Sequence, residues 1–203
     1  MRAKILYDNN ANEGFESGWG FSCLIETDKR ILFDTGGDPE KLLYNMKKLR
    51  IDPKTIDIVI ISHEHWDHNG GLEGFMKANG KRAKILRPAD AQKFTKISEK
   101  VFSTGALKSD SAPEEQALLV KTGKGFVLFT GCSHPGVELI KNAKVHGQIY
   151  AIFGGLHDFQ DMDLLSDIQV IAACHCTKYI NTIKSKFPEK FKEIKAGDSI
   201  EIK

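Results

Sequence analysis

The chain has 203 residues, 41% of them hydrophobic and 28% charged, with a formal net charge of +2 at pH 7. That is the balance of an ordinary globular domain, able to bury a core without disulfides, so one domain over residues 1 to 203 is expected. So small a charge bias argues against a nucleic-acid partner or an anionic membrane surface. No run approaches the roughly 20 apolar residues of a membrane span, and the four cysteines lack the spacing of a secreted scaffold, so a reduced, cytoplasmic protein is expected.

Ala3 to Tyr7 is a short apolar run. Gly20 to Glu26 and Arg30 to Asp34 are β-prone and joined by Thr27-Asp28-Lys29, which predicts a hairpin. The stretch from Asp34 to Pro39 breaks the sheet. Asp38-Pro39 can open a helix whose apolar positions are Leu42, Leu43, Met46 and Leu49. Ile56 to Ile61 is almost wholly apolar, the pattern of a strand buried on both faces. It runs directly into Ser62-His63-Glu64-His65-Trp66-Asp67-His68. Gly70-Gly71 leads to another helix, and Ala83 to Leu86 reads as a strand. Residues 88 to 116 are polar and mixed. A helix is expected near Asp90 to Lys100, and the whole segment reads as a loop or flap over a site.

Ala117 to Lys121 and Gly125 to Thr130 predict a second hairpin, which ends in Gly131-Cys132-Ser133-His134-Pro135-Gly136. Val137 to Val145 is amphipathic and helical. Ile149 to Phe153 is a strand that ends in Gly154-Gly155-Leu156-His157. A short helix, a strand at Gln169 to Ala173 and then Cys174-His175-Cys176-Thr177 follow. The Lys-rich stretch from Lys178 to Lys195, with interleaved Glu and Phe, reads as a solvated helix face.

Six of the seven histidines fall where a predicted strand ends: three in the run 63 to 68, then His134, His157 and His175. His146, on a helical stretch, has no such context. Strand ends are where rigid scaffolds display functional groups on loops. Imidazole and carboxylate are the usual donors to zinc, iron and manganese. His63 and His65, two apart, can project to one side. Asp67 and His68 can aim at a second point nearby. One short loop can therefore offer two ligands to each of two ions, the arrangement of two-metal catalysis. Cys174 and Cys176 flank His175 and, in an extended segment, would point away from it.

The pattern His63-x-His65-x-Asp67-His68, after a strand and a Ser and before Asn69-Gly70-Gly71, resembles the signature of the metallo-β-lactamase superfamily. Phe33-Asp34-Thr35-Gly36 is similar to that superfamily's first motif. Glu115-Gln116-Ala117-Leu118, Gly131 to Gly136, Gly154 to His157 and His175-Cys176-Thr177 resemble the branch of dihydropteroate-synthase-related, dihydropterin–phosphate synthase-like proteins. The resemblance implies an α/β fold, an αββα sandwich with its metals at one edge of the sheets. It implies that His63, His65 and His134 hold one divalent metal and that Asp67, His68 and His175 hold the other. Zinc is the first expectation, with manganese and iron as alternatives. Asp67 would also orient the attacking water, and His157 would donate a proton or contact a substrate oxygen. No His lies between His68 and His134. Cys132 stands near the position expected for a bridging Asp, and reads equally as a thiolate ligand or a small buried residue. The chain is shorter than the larger members of that branch between about Gly71 and Glu115.

These readings imply a binuclear metal-dependent hydrolase acting on a small molecule, with metal-bound hydroxide attacking a phosphoester, phosphodiester, carboxyl ester or lactone. Two alternatives stay open. One is group transfer to a pterin-related acceptor. The other is a di-iron redox or non-catalytic metal-binding protein.

Overall fold

The computed structural model describes residues 1–109 and 112–203. The chain divides into two compact units. One comprises residues 1–90 with 195–202, and the other residues 91–194 with 203.

The first unit is built on a six-stranded sheet. β1 (Arg2–Tyr7), β2 (Ser22–Glu26) and β3 (Arg30–Phe33) run antiparallel in sequence order. The predicted hairpin is the β2–β3 pair, in register from Cys23 opposite Phe33 to Glu26 opposite Arg30. Helix α1 (Pro39–Lys48) starts where Asp38-Pro39 predicts it. The Asp38 carboxylate accepts from the backbone N–H of Glu40 at 2.8 Å and of Lys41 at 3.4 Å, which caps the helix. β4 (Ile58–Ile60) then lies parallel to β3, with all three residues buried. A single helical turn, α2 (Trp66–Asn69), and α3 (Leu72–Asn79) follow before β5 (Lys84–Leu86), which pairs parallel with β4. Leu24, Leu32 and Val59 on one sheet face pack with Leu42, Met46, Leu72 and Phe75 of the helices.

Asn45 ties α1 to two loops. Its amide donates to the carbonyls of Leu6 and Glu16, each at 2.8 Å, and its Oδ1 accepts from Glu16 N–H at 2.9 Å. Asn45 is fully buried. An Asn45→Ala variant would leave three backbone groups without these partners. We expect a loss of about 2–4 kcal/mol in chemical denaturation.

The second unit carries its own six-stranded sheet. β6 (Thr95–Lys96), β7 (Val101–Ser103), β8 (Leu118–Thr122) and β9 (Gly125–Thr130) are antiparallel neighbours. After α4 (Val137–Val145), β10 (Ile149–Gly155) pairs parallel with β9, and β11 (Val170–Cys174) parallel with β10. α4 contributes Leu139, Ile140 and Ala143 to a cluster with Leu128, Ile152 and Ile171. α5 (Ile180–Lys186) covers only part of the Lys-rich stretch.

The helix expected near Asp90 to Lys100 does not form. Residues Pro88–Asp90 make one 3-10 turn, and Thr95 and Lys96 enter the sheet opposite Ser103 and Phe102. Ile97 and Ser98 N–H both donate to the Val101 carbonyl, which closes a tight turn. Phe94 stacks on Phe102 and on His146, with centroids 5.4 and 3.7 Å away. These long-range contacts outweigh a local pattern that mimicked a helix. They also account for His146 as a packing residue. The flap expected over residues 88 to 116 thus contains two strands, and it includes residues 110 and 111, which lie outside the described residues. The sequence reading also lacks β12 (Ser199–Glu201), an edge strand that pairs with β1. Among the described residues, no helix is long and apolar enough to cross a membrane.

Candidate metal centre

In the first unit, the donors sit at the ends of the two parallel strands β3 and β4. Asp34 leaves β3 in the left-handed region, at φ 57°, a conformation Asp tolerates better than most residues. Its own N–H still donates to Ile60 O at 2.8 Å, so the turn is pinned to β4. Its carboxylate is fully buried and takes three hydrogen bonds of 2.7 Å. Oδ1 accepts from Ser62 N–H, while Oδ2 accepts from Ser62 Oγ and from His68 Nδ1.

These bonds assign the ring nitrogen that each imidazole presents for coordination. His68 donates through Nδ1, so its Nε2 carries the lone pair. The Ser62 hydroxyl proton is directed at Asp34, so at 2.9 Å it accepts from His63 Nδ1. That leaves His63 Nε2 as a donor atom to a metal. A partner on the far nitrogen is how proteins orient a ligating imidazole.

His63 Nε2 lies 3.2 Å from His65 Nδ1, and His68 Nε2 lies 3.7 Å from Asp67 Oδ2. Two donors bound at about 2.0–2.1 Å to a tetrahedral zinc ion stand roughly 3.3 Å apart. The run therefore presents two donor pairs, His63 with His65 and Asp67 with His68, each near the span of two ligands on one ion. His63 and His68 are fully buried, and Asp67 nearly so. This donor set of imidazoles and a carboxylate fits divalent zinc, manganese or iron.

Glu64 points elsewhere. It pairs with Arg87 at 2.6 Å and accepts from Asn69 at 2.8 Å. Burial alone would push its pKa up, but the hydrogen bonds from Arg87 and Asn69, together with the charge of Arg87, outweigh this and hold it below the usual carboxylate range.

In the second unit, β9, β10 and β11 are adjacent and parallel, and each ends in a loop with a histidine. Such ends are favoured places for ligand sites in parallel sheets. The β9 loop is organised by Glu115, which is fully buried. Its Oε1 accepts from the N–H groups of Gly131, Cys132 and Ser133 at 3.2, 2.9 and 2.8 Å. Its Oε2 accepts from His134 N–H at 2.8 Å and from His134 Nδ1 at 3.0 Å. With Nδ1 donating to Glu115, His134 would coordinate through Nε2. The His157 ring stands 5.1 Å from that of His134 and is about half exposed.

His175 follows β11 with φ 51°, so the segment is a turn and not extended. The expectation that Cys176 points away from His175 is thereby overturned. Cys132 Sγ, a ring nitrogen of His175 and Cys176 Sγ all lie within 4.8 Å of one another. Cys174, by contrast, is a buried strand residue.

A family model for the metallo-beta-lactamase superfamily matches residues 20–141, more than half of the chain. The chain belongs to the metallo-beta-lactamase superfamily. Its two sheets with their helices are the mixed α/β fold of that superfamily. A crystal structure described as a metal-dependent hydrolase of the beta-lactamase superfamily superposes with a TM-score of 0.80 at 26% identity, covering 100% of this chain and 99% of its own. A metallo-beta-lactamase fold protein from Bacillus subtilis superposes at 0.69 with 13% identity, covering 98% of this chain and 99% of its own, a likeness of fold alone. By sequence, the chain is 29% identical to a 7,8-dihydropterin-6-methyl-4-(beta-D-ribofuranosyl)-aminobenzene-5'-phosphate synthase of Methanocaldococcus jannaschii, over 93% of this chain and 92% of that one. That alignment runs over 269 positions, more than the 203 residues present here, so the relative carries segments this chain lacks.

Sequence reasoning missed the roles of Ser62, Glu115 and Cys176. The only signal for Glu115 was its place in a family-like motif. Nothing local marks it as the acceptor of four backbone N–H groups.

Proposed function

We propose that the chain is a metal-dependent hydrolase that uses two divalent ions, zinc foremost. The observation that carries this reading is the pair of donor sets in one loop, His63 with His65 and Asp67 with His68. The superfamily resemblance adds His134 to the first and His175 to the second, and we keep that assignment as part of the proposal. Bound metals of this kind acidify water and polarise a carbonyl or phosphoryl group. The chain's own residues do the rest. Asp34 and Ser62 fix the tautomers of His68 and His63. The Asp67 carboxylate orients the attacking water and accepts its proton. His157, half exposed, donates a proton to the leaving oxygen or binds a substrate oxygen. Phosphoesters, phosphodiesters, carboxyl esters and lactones are the substrate classes, and a reducing, cytoplasmic setting suits the four free cysteines.

A second reading is group transfer between a dihydropterin and an aminobenzene riboside phosphate. The similarity to the Methanocaldococcus jannaschii synthase favours it about equally. Trp66, 62% exposed within the ligand run, and Trp19, 54% exposed, offer flat indole faces suited to a pterin ring.

Metal analysis and a two-arm activity screen test both. Wild-type protein should hold two divalent ions. His63→Ala and His68→Ala should each lose metal and lower turnover by about 100-fold or more. Release of an activated phosphodiester, ester or lactone leaving group supports hydrolysis. Condensation of a dihydropterin diphosphate with an aminobenzene riboside phosphate supports the second reading. Unchanged metal content in both variants would overturn the shared premise.

A further inference from the structure

We propose that Cys132, His175 and Cys176 form a thiolate-rich metal site within the second unit, with Cys176 as a ligand. The inference rests on the reading of His175 as a metal ligand and adds the two thiols to it. Its occupant would be a thiophilic borderline or soft cation, of the zinc or cobalt class and not the manganese or magnesium class.

Three observations converge. The first is proximity: two sulfurs and an imidazole nitrogen lie within 4.8 Å of one another, although Cys132 and Cys176 are far apart in sequence. Two thiolates at about 2.3 Å from a tetrahedral ion stand roughly 3.8 Å apart, so only small side-chain rotations separate this cluster from a ligand set.

The second is the turn that brings Cys176 back. His175 adopts a left-handed backbone without being glycine. Thr177 holds it there: its N–H and its hydroxyl both donate to Cys174 O, at 3.1 and 2.7 Å. The same hydroxyl accepts from Leu156 N–H at 3.0 Å, which fastens the turn to the end of β10. A strained conformation held by neighbours in this way is characteristic of functional positions.

The third is the space left for the sulfur. Gly155 has an ordinary negative φ, so its backbone does not demand glycine. A Cβ there would meet the Gly131 carbonyl oxygen first, and would stand 2.7 Å from Cys176 Sγ and 3.3 Å from Cys132 Cα. The missing side chain leaves room for the Gly131 carbonyl and for the Cys176 sulfur alike, so the two cysteines can approach the same end of the sheet. Cys23 shows the contrast: it is wholly buried in β2, and burial pushes its thiol up, away from thiolate chemistry.

On binding, each thiol releases its proton to solvent and forms a metal–sulfur bond. Cobalt(II) makes this visible through the near-ultraviolet charge transfer of a cobalt–thiolate bond. Metal-free protein, reloaded with cobalt, should show that band, and a thiol reagent should count two fewer reactive thiols than in the metal-free form. Cys176→Ser and Cys132→Ser should each lose roughly half of the band, and the double variant nearly all of it, since intensity follows the number of thiolate ligands. His63→Ala should keep it. A wild-type protein that binds cobalt without the band, or a Cys176→Ser protein with an unchanged band, overturns the inference and leaves the proposed hydrolase standing. Failure of wild-type protein to bind cobalt at all sinks both.

Discussion

If the proposed ligand set holds, Asp34→Asn should yield a folded protein that binds divalent metal about 10–100-fold more weakly. The reason lies in which proton each partner carries. In the native protein, Asp34 Oδ2 accepts from both the Ser62 hydroxyl and His68 Nδ1. An amide can keep one oxygen for Ser62 N–H, but it then presents N–H groups where Oδ2 stood. His68 must turn its Nδ1 into an acceptor, which moves the ring proton to Nε2, the atom that would bind metal. The Ser62 hydroxyl loses the carboxylate it donates to and must reorient, although its oxygen can still accept from His63 Nδ1. Thus one oxygen-to-nitrogen change reverses the His68 tautomer and unpins the hydroxyl that orients His63.

Asp34→Ala separates this effect from folding. It deletes all three buried bonds and should lower stability by about 3–5 kcal/mol, the range for removing one member of a buried polar pair. Metal titration with a competing chelator, beside chemical denaturation, distinguishes the two. Unchanged affinity in the Asn variant would mean that His68 does not coordinate through Nε2.

Which of these features were legible beforehand follows from the range of the interactions behind them. The β2–β3 and β8–β9 hairpins, the start of α1 at Asp38-Pro39 and the buried strand β4 rest on turn chemistry and hydrophobic period, both local. The His63–His68 run was legible because its donor atoms come from consecutive residues. β6 and β7 were not, since strands of two and three residues exist only through their partners. β12 is of the same kind, an edge strand held by β1 at the other end of the chain. Asp34 could be seen at a strand end, but its three donors come from residues 28 and 34 positions away. Cys176 was misjudged because the extended-chain geometry assumed for residues 174 to 176 fails at the left-handed His175.

Glu115 carries the other large expected effect, and its substitutions should part stability from metal binding. Four backbone N–H groups, from Gly131 to His134, end on this one buried carboxylate. Consecutive N–H groups that converge in this way require a curled backbone, and Ser133 duly sits at φ 61°. Glu115→Ala removes the acceptor for all four at once. The loop must then open to water or unfold, and a loss of about 3–5 kcal/mol is expected by thermal or chemical denaturation. Glu115→Gln is the finer probe. Its carbonyl oxygen can replace Oε1, which serves three of the N–H groups. Its NH2 then faces His134 N–H and Nδ1, where the carboxylate accepted from both. The backbone N–H loses its partner, and the ring is driven to protonate Nε2 instead of Nδ1. The Gln variant should therefore keep most of its stability while its metal affinity falls about 10–100-fold. If Gln proves as destabilising as Ala, the carboxylate serves the loop alone. If Gln binds metal like wild type, His134 is not a ligand.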